Sequence, residues 1–231
     1  MLTIGKSWLM RRREMNHVQI KICGVTNLAD ARACLDLGAD MIGLNFYPRS
    51  PRYIEPDRVR EIVEAIPRSV RAVGVFVDTT AHEVRTLAKT AGIECVQLHG
   101  DVSSETCRDL AREFRVIRAF CTGAKFHPED IGAFSDCDAL LDAPHGELRG
   151  GTGLTCDWSA ARATLPFARF LILSGGLNAQ NVGDAIAAVT PHAVDVCSGV
   201  ESTPGVKDHR AIEKFLADAR TAERLRVDPA A

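Results

Sequence analysis

From His17 onward, short apolar and β-branched runs alternate with longer stretches in which apolar residues recur every three or four positions. The first kind of run reads as a buried strand and the second as an amphipathic helix. Strands are predicted over 18–23, 41–46, 71–77, 95–98, 115–120, 138–142, 169–174 and 193–197. Helices are predicted over about 27–37, 56–66, 80–91, 103–114, 128–134, 157–164, 178–189 and 208–222. Local signals agree with this division. Asn27, Asp101 or Ser103, Asp157 and Asn178 stand where a side-chain oxygen can take up the orphan N–H groups of a helix start, and Asp78 is expected to cap the third helix. Pro56 suits a first helical turn, while Gly38 and Gly92 suit helix stops.

Strands separated by helices form a parallel sheet through right-handed crossovers. Eight such units in 231 residues fit a single closed (βα)8 TIM barrel better than an open doubly wound sheet. No glycine-rich dinucleotide fingerprint follows the first strand, which also counts against the open sheet. With no low-complexity linker, the chain reads as one barrel domain over 17–231 behind an N-terminal extension over 1–16. In that extension the basic cluster Arg11–Arg13 follows the apolar stretch and no small-residue cleavage site appears, so it is not a secretory signal. It is expected to be disordered or to reflect an upstream start, Met15 standing just before the first strand; a helix covering one end of the barrel is the competing reading.

Composition narrows the function classes. Hydrophobic residues make up 46% and charged residues 25%, as in ordinary globular proteins. A net charge of −2 gives no ground for nucleic acid or an anionic membrane as partner. No apolar stretch approaches the roughly 20 residues that span a bilayer. The eight cysteines include no C-x-x-C pair and read as free thiols in a reducing cytoplasm. The seven histidines show no clustered ligand pattern, so no metal is expected.

In a βα barrel the chemistry lies at the C-terminal ends of the strands, and phosphate commonly sits after strands 7 and 8. Two late apolar runs break into glycine there: FLILSGGL at 170–177 and AVDVCSGVE at 193–201. Glycine lets backbone N–H groups approach an anion, and each turn is expected to feed a helix whose N-terminus adds positive potential. On the first strand, Lys21 and Cys23 share a face directed into the barrel. A neighbouring ammonium favours a thiolate, yet by position alone a structural role is favoured for both, with Lys21 neutralised by Asp195 on the eighth strand. After the second strand, Arg52 offers a fork for a planar carboxylate, whereas Arg49 reads as solvated. Gln97 and His99 share a face that brings His99 to the mouth, and 118–123 carries little signal. Asp142 ends a buried apolar strand, where desolvation is expected to favour its protonated form. Gly146, Gly150, Gly151 and Gly153 make the following loop pliable.

The stretches KICGVTN at 21–27, FYPRSPRYI at 46–54, VGVFVD at 73–78, VQLHGD at 96–101, LLD at 140–142 with GGTG at 150–153, LSGGLNAQNV at 173–182 and SGVESTPGVKD at 198–208 together resemble the phosphoribosylanthranilate isomerase family of tryptophan biosynthesis. They occur in family order and cover about 18–220. The resemblance implies an Amadori rearrangement with Cys23 as general base and Asp142 as general acid, needing no metal or organic cofactor. It also implies that Arg52 clamps the anthranilate carboxylate, that His99 lines the site, and that Gly175, Gly176, Ser198 and Gly199 hold the phosphate with Gly153 alongside. Asp195 joins the expected substrate-binding set. The expected partner is a small phosphoribosyl anthranilate, bound by a cytoplasmic monomer or homodimer. Two positions depart from the family: Cys197 stands where many relatives carry serine, altering a hydrogen bond near the phosphate, and Cys156 stands for a common phenylalanine, altering loop packing. Neither departure is expected to touch the acid or the base, and Arg52 is expected to be dispensable for stability. The alternatives are a histidine-pathway phosphoribosyl isomerase, against which Cys23 argues, and a non-catalytic barrel that binds a phosphate ligand.

Overall fold

The computed structural model of the chain describes residues 17–144 and 155–227. Eight parallel strands close into a barrel in sequential order: β1 (Gln19–Ile22), β2 (Met41–Asn45), β3 (Arg71–Val77), β4 (Cys95–His99), β5 (Arg115–Cys121), β6 (Asp138–Asp142), β7 (Leu171–Leu173) and β8 (Ala193–Val196). β8 pairs back onto β1 with Lys21 opposite Asp195 and Ile22 opposite Val196, which leaves the barrel sheet without a free edge. The intervening helices are α1 (Leu28–Asp36), α2 (Pro56–Ala65), α3 (Ala81–Ala91), α4 (Ser104–Leu110), a 3₁₀ turn (Pro128–Phe134), α5 (Trp158–Thr164) and α6 (Val182–Val189). After β8 come a 3₁₀ turn (Ser198–Val200), a two-stranded ribbon of β9 (Glu201–Thr203) and β10 (Val206–Lys207), and the closing helix α7 (His209–Val227).

Period-two alternation sorts the side chains into two cores. Met41, Val73, Cys95, Ile117, Leu140, Ile172 and Ala193 point inward and pack on one another inside the barrel. Ile20, Ile22, Ile42, Leu44, Val96 and Leu98 point outward into the larger layer beneath the helices. Each fully buried aliphatic side chain contributes roughly 1.5–3 kcal/mol of transfer free energy.

Capping follows the expected chemistry at Asn27, Ser103 and Asp157, whose side chains accept from the backbone of the first helical turn. Ser103, not Asp101, caps α4. Asp78 does not cap α3: Thr80 does, in a reciprocal capping box with Glu83, while Asp78 takes a left-handed φ of 48°. Asn178 does not cap α6, which starts four residues later at Val182. Its side chain instead accepts from Gln180 N–H within the preceding turn. α4 stops at Leu110 because the amides of Glu113 and Phe114 both converge on the Leu110 carbonyl, a tight turn that buries Phe114 at the entry to β5. Pro128 and Gly132 hold the segment before β6 to a 3₁₀ turn.

The segment 1–16, and Gly146, Gly150, Gly151 and Gly153, lie outside the described residues. Among the described residues, no helix is long and apolar enough to cross a membrane.

Candidate active site

On β1, β4, β5, β6 and β8 the inward alternation leads to a polar or sulfur-bearing residue at the C-terminal mouth. Continuing from Lys21, β1 delivers Cys23; from Cys95 and Gln97, β4 ends in His99. β5 ends in Cys121, whose register partner on β6 is Asp142. β8 carries Asp195 and then Cys197. Cys23 and Asp142 thus stand at the same mouth, on strands three steps apart around the barrel.

Beneath the mouth, Lys21 is fully buried and its Nζ lies 2.8 Å from Asp195 Oδ1. The second Asp195 oxygen accepts from Ser174 Oγ at 3.1 Å. Burial opposes the ammonium, but the Asp195 charge and the Cys23 sulfur outweigh it and leave Lys21 firmly protonated. Both carboxylate oxygens of Asp195 are therefore engaged within the protein, and its observed part is to anchor Lys21. Room for this arrangement comes from Gly43 on β2, where a Cβ would stand 2.7 Å from Cys23 Sγ and 3.1 Å from Lys21 Nζ.

Cys23 is partly accessible and hydrogen-bonds to Cys197. That hydrogen bond, followed by the Lys21 ammonium, brings the Cys23 thiol down to about 7 against the opposing effect of burial. The same hydrogen bond, with burial, holds Cys197 well above the usual thiol range. By contrast, burial pushes the core thiols Cys34 and Cys95 up to about 12. Cys197 therefore acts on the thiol of the first strand. This corrects the expectation that its departure from serine bears on the phosphate side alone. Cys156 is buried, accepts from Thr122 Oγ1 at 3.4 Å and sits beneath the Gly175 carbonyl, in keeping with a packing role.

Arg52 also differs from expectation. Its guanidinium grips Glu201 with Nε–Oε1 at 2.9 Å and Nη2–Oε2 at 2.7 Å, and the side chain is 14% exposed. The hydrogen bonds to Glu201 raise the Arg52 pKa further. Among the described residues, the hydrogen bonds of the guanidinium run through Nε and Nη2. Glu201 also takes Lys207 Nζ at 2.9 Å and lies 3.8 Å from Cys197 Sγ. Arg49 is exposed on the loop, as expected.

Asp142 is partly exposed, not the desolvated carboxyl expected from its apolar strand. One of its oxygens accepts from the Ala143 amide at 2.9 Å. His99 Nε2 lies 2.7 Å from Gln97 Nε2, so the two residues that share a face also touch.

The two glycine turns interlock. Gly175 has φ 83° and a Cβ there would meet Ala143 N at 2.4 Å; a Cβ at Gly199 would meet the Leu177 carbonyl oxygen at 2.1 Å. Ser198 and Gly199 are exposed, and no hydrogen bond among the described residues engages the amides of Gly176, Ser198 or Gly199. Neither turn feeds a helix directly, contrary to expectation: α6 begins six residues after Gly176, and the β9–β10 ribbon separates Gly199 from α7.

Sequence reasoning did not single out Glu201, Lys207, Gly43 or Cys121; Gly43 and Cys121 do fall at the inward period-two positions of β2 and β5, whereas Glu201 and Lys207 lie beyond the barrel strands. Glu201 and Lys207 do lie inside the SGVESTPGVKD stretch, which was the one available cue.

A closed (βα)8 barrel with its titratable side chains gathered at the C-terminal mouth is the architecture of a single-domain barrel enzyme. Residues 20–218 match the family model described as N-(5'phosphoribosyl)anthranilate (PRA) isomerase, and the chain belongs to that family. It is 42% identical over 203 residues to N-(5'-phosphoribosyl)anthranilate isomerase of Thermotoga maritima, an alignment covering 88% of this chain and 98% of the relative. The crystal structure of phosphoribosyl anthranilate isomerase from Thermotoga maritima superposes with a TM-score of 0.83 at 41% identity, covering 89% of this chain and 100% of the other. A phosphoribosyl anthranilate isomerase in complex with reduced 1-(o-carboxyphenylamino)-1-deoxyribulose 5-phosphate gives a TM-score of 0.80 at 40% identity, covering 89% and 100%.

Proposed function

We propose that this chain converts N-(5-phosphoribosyl)anthranilate into 1-(2-carboxyphenylamino)-1-deoxyribulose 5-phosphate, the isomerisation step of tryptophan biosynthesis, in the cytoplasm. The observation that carries the mechanism is a partly accessible thiol beside a buried ammonium, sharing one barrel mouth with a partly exposed carboxyl. Asp142, as general acid, protonates the furanose ring oxygen. The C1′–O bond then breaks as the anilino nitrogen lone pair forms an iminium. Cys23, as thiolate, removes the proton from C2′, and the C–H electrons flow to the iminium nitrogen to give an enolamine. The enol hydroxyl at C2′ loses its proton and C1′ gains one, leaving the ketone. The iminium is the electron sink, so the reaction calls for no metal or organic cofactor.

Such chemistry needs one group protonated and another not at the same pH. The environment of Cys23 supports its half of that division, since the Cys197 hydrogen bond and Lys21 favour the thiolate. The amides of Gly176, Ser198 and Gly199 suit an ester dianion, with Gly175 shaping the turn and Gly153 on the loop alongside. Arg52 faces the anthranilate carboxylate, and His99 lines the cavity.

Turnover by the parent protein, compared with Cys23→Ser and Asp142→Asn, tests the reading. The expected result is measurable turnover in the parent and a loss of about 10²–10⁴ in kcat in each variant with substrate still bound. Ligand binding without turnover in the parent would mean a non-catalytic barrel. Rescue of a tryptophan auxotroph lacking this isomerase is the complementary test in cells.

A further inference from the structure

The last paired residues of β1 and β8 are Ile22 and Val196, so Cys23 and Cys197 stand one step further on, side by side at the mouth. The Cys23 amide donates to the Val196 carbonyl at 2.8 Å, which fixes this register where the ladder ends. Cys197 Sγ then has two acceptors within reach: the Cys23 sulfur, to which it is hydrogen-bonded, and Glu201 Oε1 at 3.8 Å. A thiol carries one proton and can satisfy one of them at a time.

We propose that Cys197 is a positioning residue for the isomerisation: its S–H donates to Cys23 while Cys23 is a thiolate and turns to Glu201 once Cys23 has taken the substrate proton. The proposal rests on the reading of Cys23 as general base. No atom is exchanged with the substrate beyond the proton that Cys23 accepts, and Cys197 keeps its own proton throughout. The surrounding charges favour this division of labour. Cys23 faces Lys21 on its own strand, Asp195 and Cys197 from β8, Lys207 from β10 and, from the loop after β2, Arg52. Lys21 Nζ and the Cys23 sulfur converge on the same spot above Gly43, and the ammonium favours the thiolate there. Cys197 Sγ lies 3.8 Å from a Glu201 carboxylate oxygen, and Arg52 and Lys207 are both bound to that carboxylate. Lys21 thus favours negative charge on Cys23, while the interaction with Cys23 and burial keep the proton on Cys197 against the pull of Lys207 and Arg52. A serine at 197 would offer the same single rotatable donor, whereas alanine would offer none.

The test follows the thiolate directly. Iodoacetamide alkylation of Cys23, quantified by mass spectrometry of its peptide, is measured against pH in the parent, C197A and C197S, alongside the pH dependence of kcat/KM. C197A is expected to raise the Cys23 alkylation midpoint and the acidic limb of kcat/KM together by about one pH unit or more, and C197S to restore both. A midpoint unmoved in C197A overturns the proposal, as does one raised equally in C197A and C197S. Should C197A fail to fold, C197S against the parent decides: a hydroxyl donor predicts a midpoint at or below that of the parent, and a rise of about one unit overturns the idea. C23S turning over at the parent rate would instead overturn the general-base reading, a failure the alkylation series distinguishes from this one.

Discussion

Arg52 and Glu201 face each other as a two-point ion pair, Nη2–Oε2 at 2.7 Å and Nε–Oε1 at 2.9 Å, and thereby tie the loop after β2 to the ribbon that follows β8. The two segments are 149 residues apart in the chain and meet over the first strand's C-terminal end. Arg52 is therefore a structural clasp as well as the candidate clamp for a substrate carboxylate.

Arg52→Ala is expected to raise KM and to destabilise the fold. Breaking a buried pair costs roughly 3–5 kcal/mol when the partner is stranded. Glu201 keeps Lys207, so about 2 kcal/mol is the expected loss here. Arg52→Lys should recover part of the stability, since one bond to Glu201 can persist, but little of the affinity, because a single ammonium held by Glu201 has no second edge to offer a substrate carboxylate. Urea unfolding and steady-state kinetics on the same preparations check both halves. An Arg52→Ala protein as stable as the parent would restore the purely substrate-facing role.

Activity should fall on the acid side of neutrality. The Cys23 thiol is brought down to about 7, first by the hydrogen bond from Cys197 and then by Lys21. A general base works only in its deprotonated form, so kcat/KM should rise through that pH and fall about tenfold for each unit below it. A profile flat from pH 5 to 8 would remove a thiolate from the rate equation.

How far the sequence spoke depended on how local each cause was. The eight strands were legible because a buried strand needs only its own apolar run, and Lys21 with Asp195 because both sit at period-two positions on strands that must adjoin once a barrel closes. The cap of α3 was misread by two residues because Asp78 and Thr80 both carry suitable oxygens, and only the backbone of the turn selects between them. The β9–β10 ribbon is three residues against two, too short for any periodicity. Glu201 was illegible as a hub for a different reason: Arg52 lies 149 residues away and meets it only in the closed barrel, while Lys207 reaches it across the short ribbon and Cys197 from the turn before it. The same holds for the two thiols. Nothing near Cys23 in the chain announces that Cys197 will lie against it.

Asp195→Asn should destabilise the protein by about 3–5 kcal/mol, because it leaves the Lys21 ammonium buried without its counter-charge. The folded pKa of Lys21 is raised above its unfolded value. Its contribution is thus fully present below the unfolded pKa near 10.4 and is lost only as pH rises through the folded one. Without Asp195, burial acts against the Lys21 ammonium and lowers its folded pKa, so the variant gains stability as pH rises towards 10.4 while the parent does not, and the difference between them should be largest near pH 6 and shrink towards pH 9. Lys21→Met with Asp195→Leu should recover much of the loss, since the pair is replaced by apolar volume. Thermal unfolding of the parent and the two variants at both pH values provides the check, and a difference for Asp195→Asn that does not change with pH would indicate another partner that keeps Lys21 charged.

Gly199→Ala should separate phosphate affinity from the proton-transfer groups. A Cβ at that position would stand 2.1 Å from the Leu177 carbonyl oxygen, so the turn after β8 must move away from the turn after β7. That shift pulls the exposed amides of Ser198 and Gly199 out of line with Gly176, while Cys23 and Asp142 are carried by other strands. Inorganic phosphate, used as a competitive inhibitor, should bind about tenfold more weakly or worse, equivalent to roughly 1.4 kcal/mol, and substrate KM should rise in parallel. Unaltered phosphate inhibition in a folded Gly199→Ala protein would place the anion elsewhere on the barrel rim and leave the interlocked glycines with a packing role only.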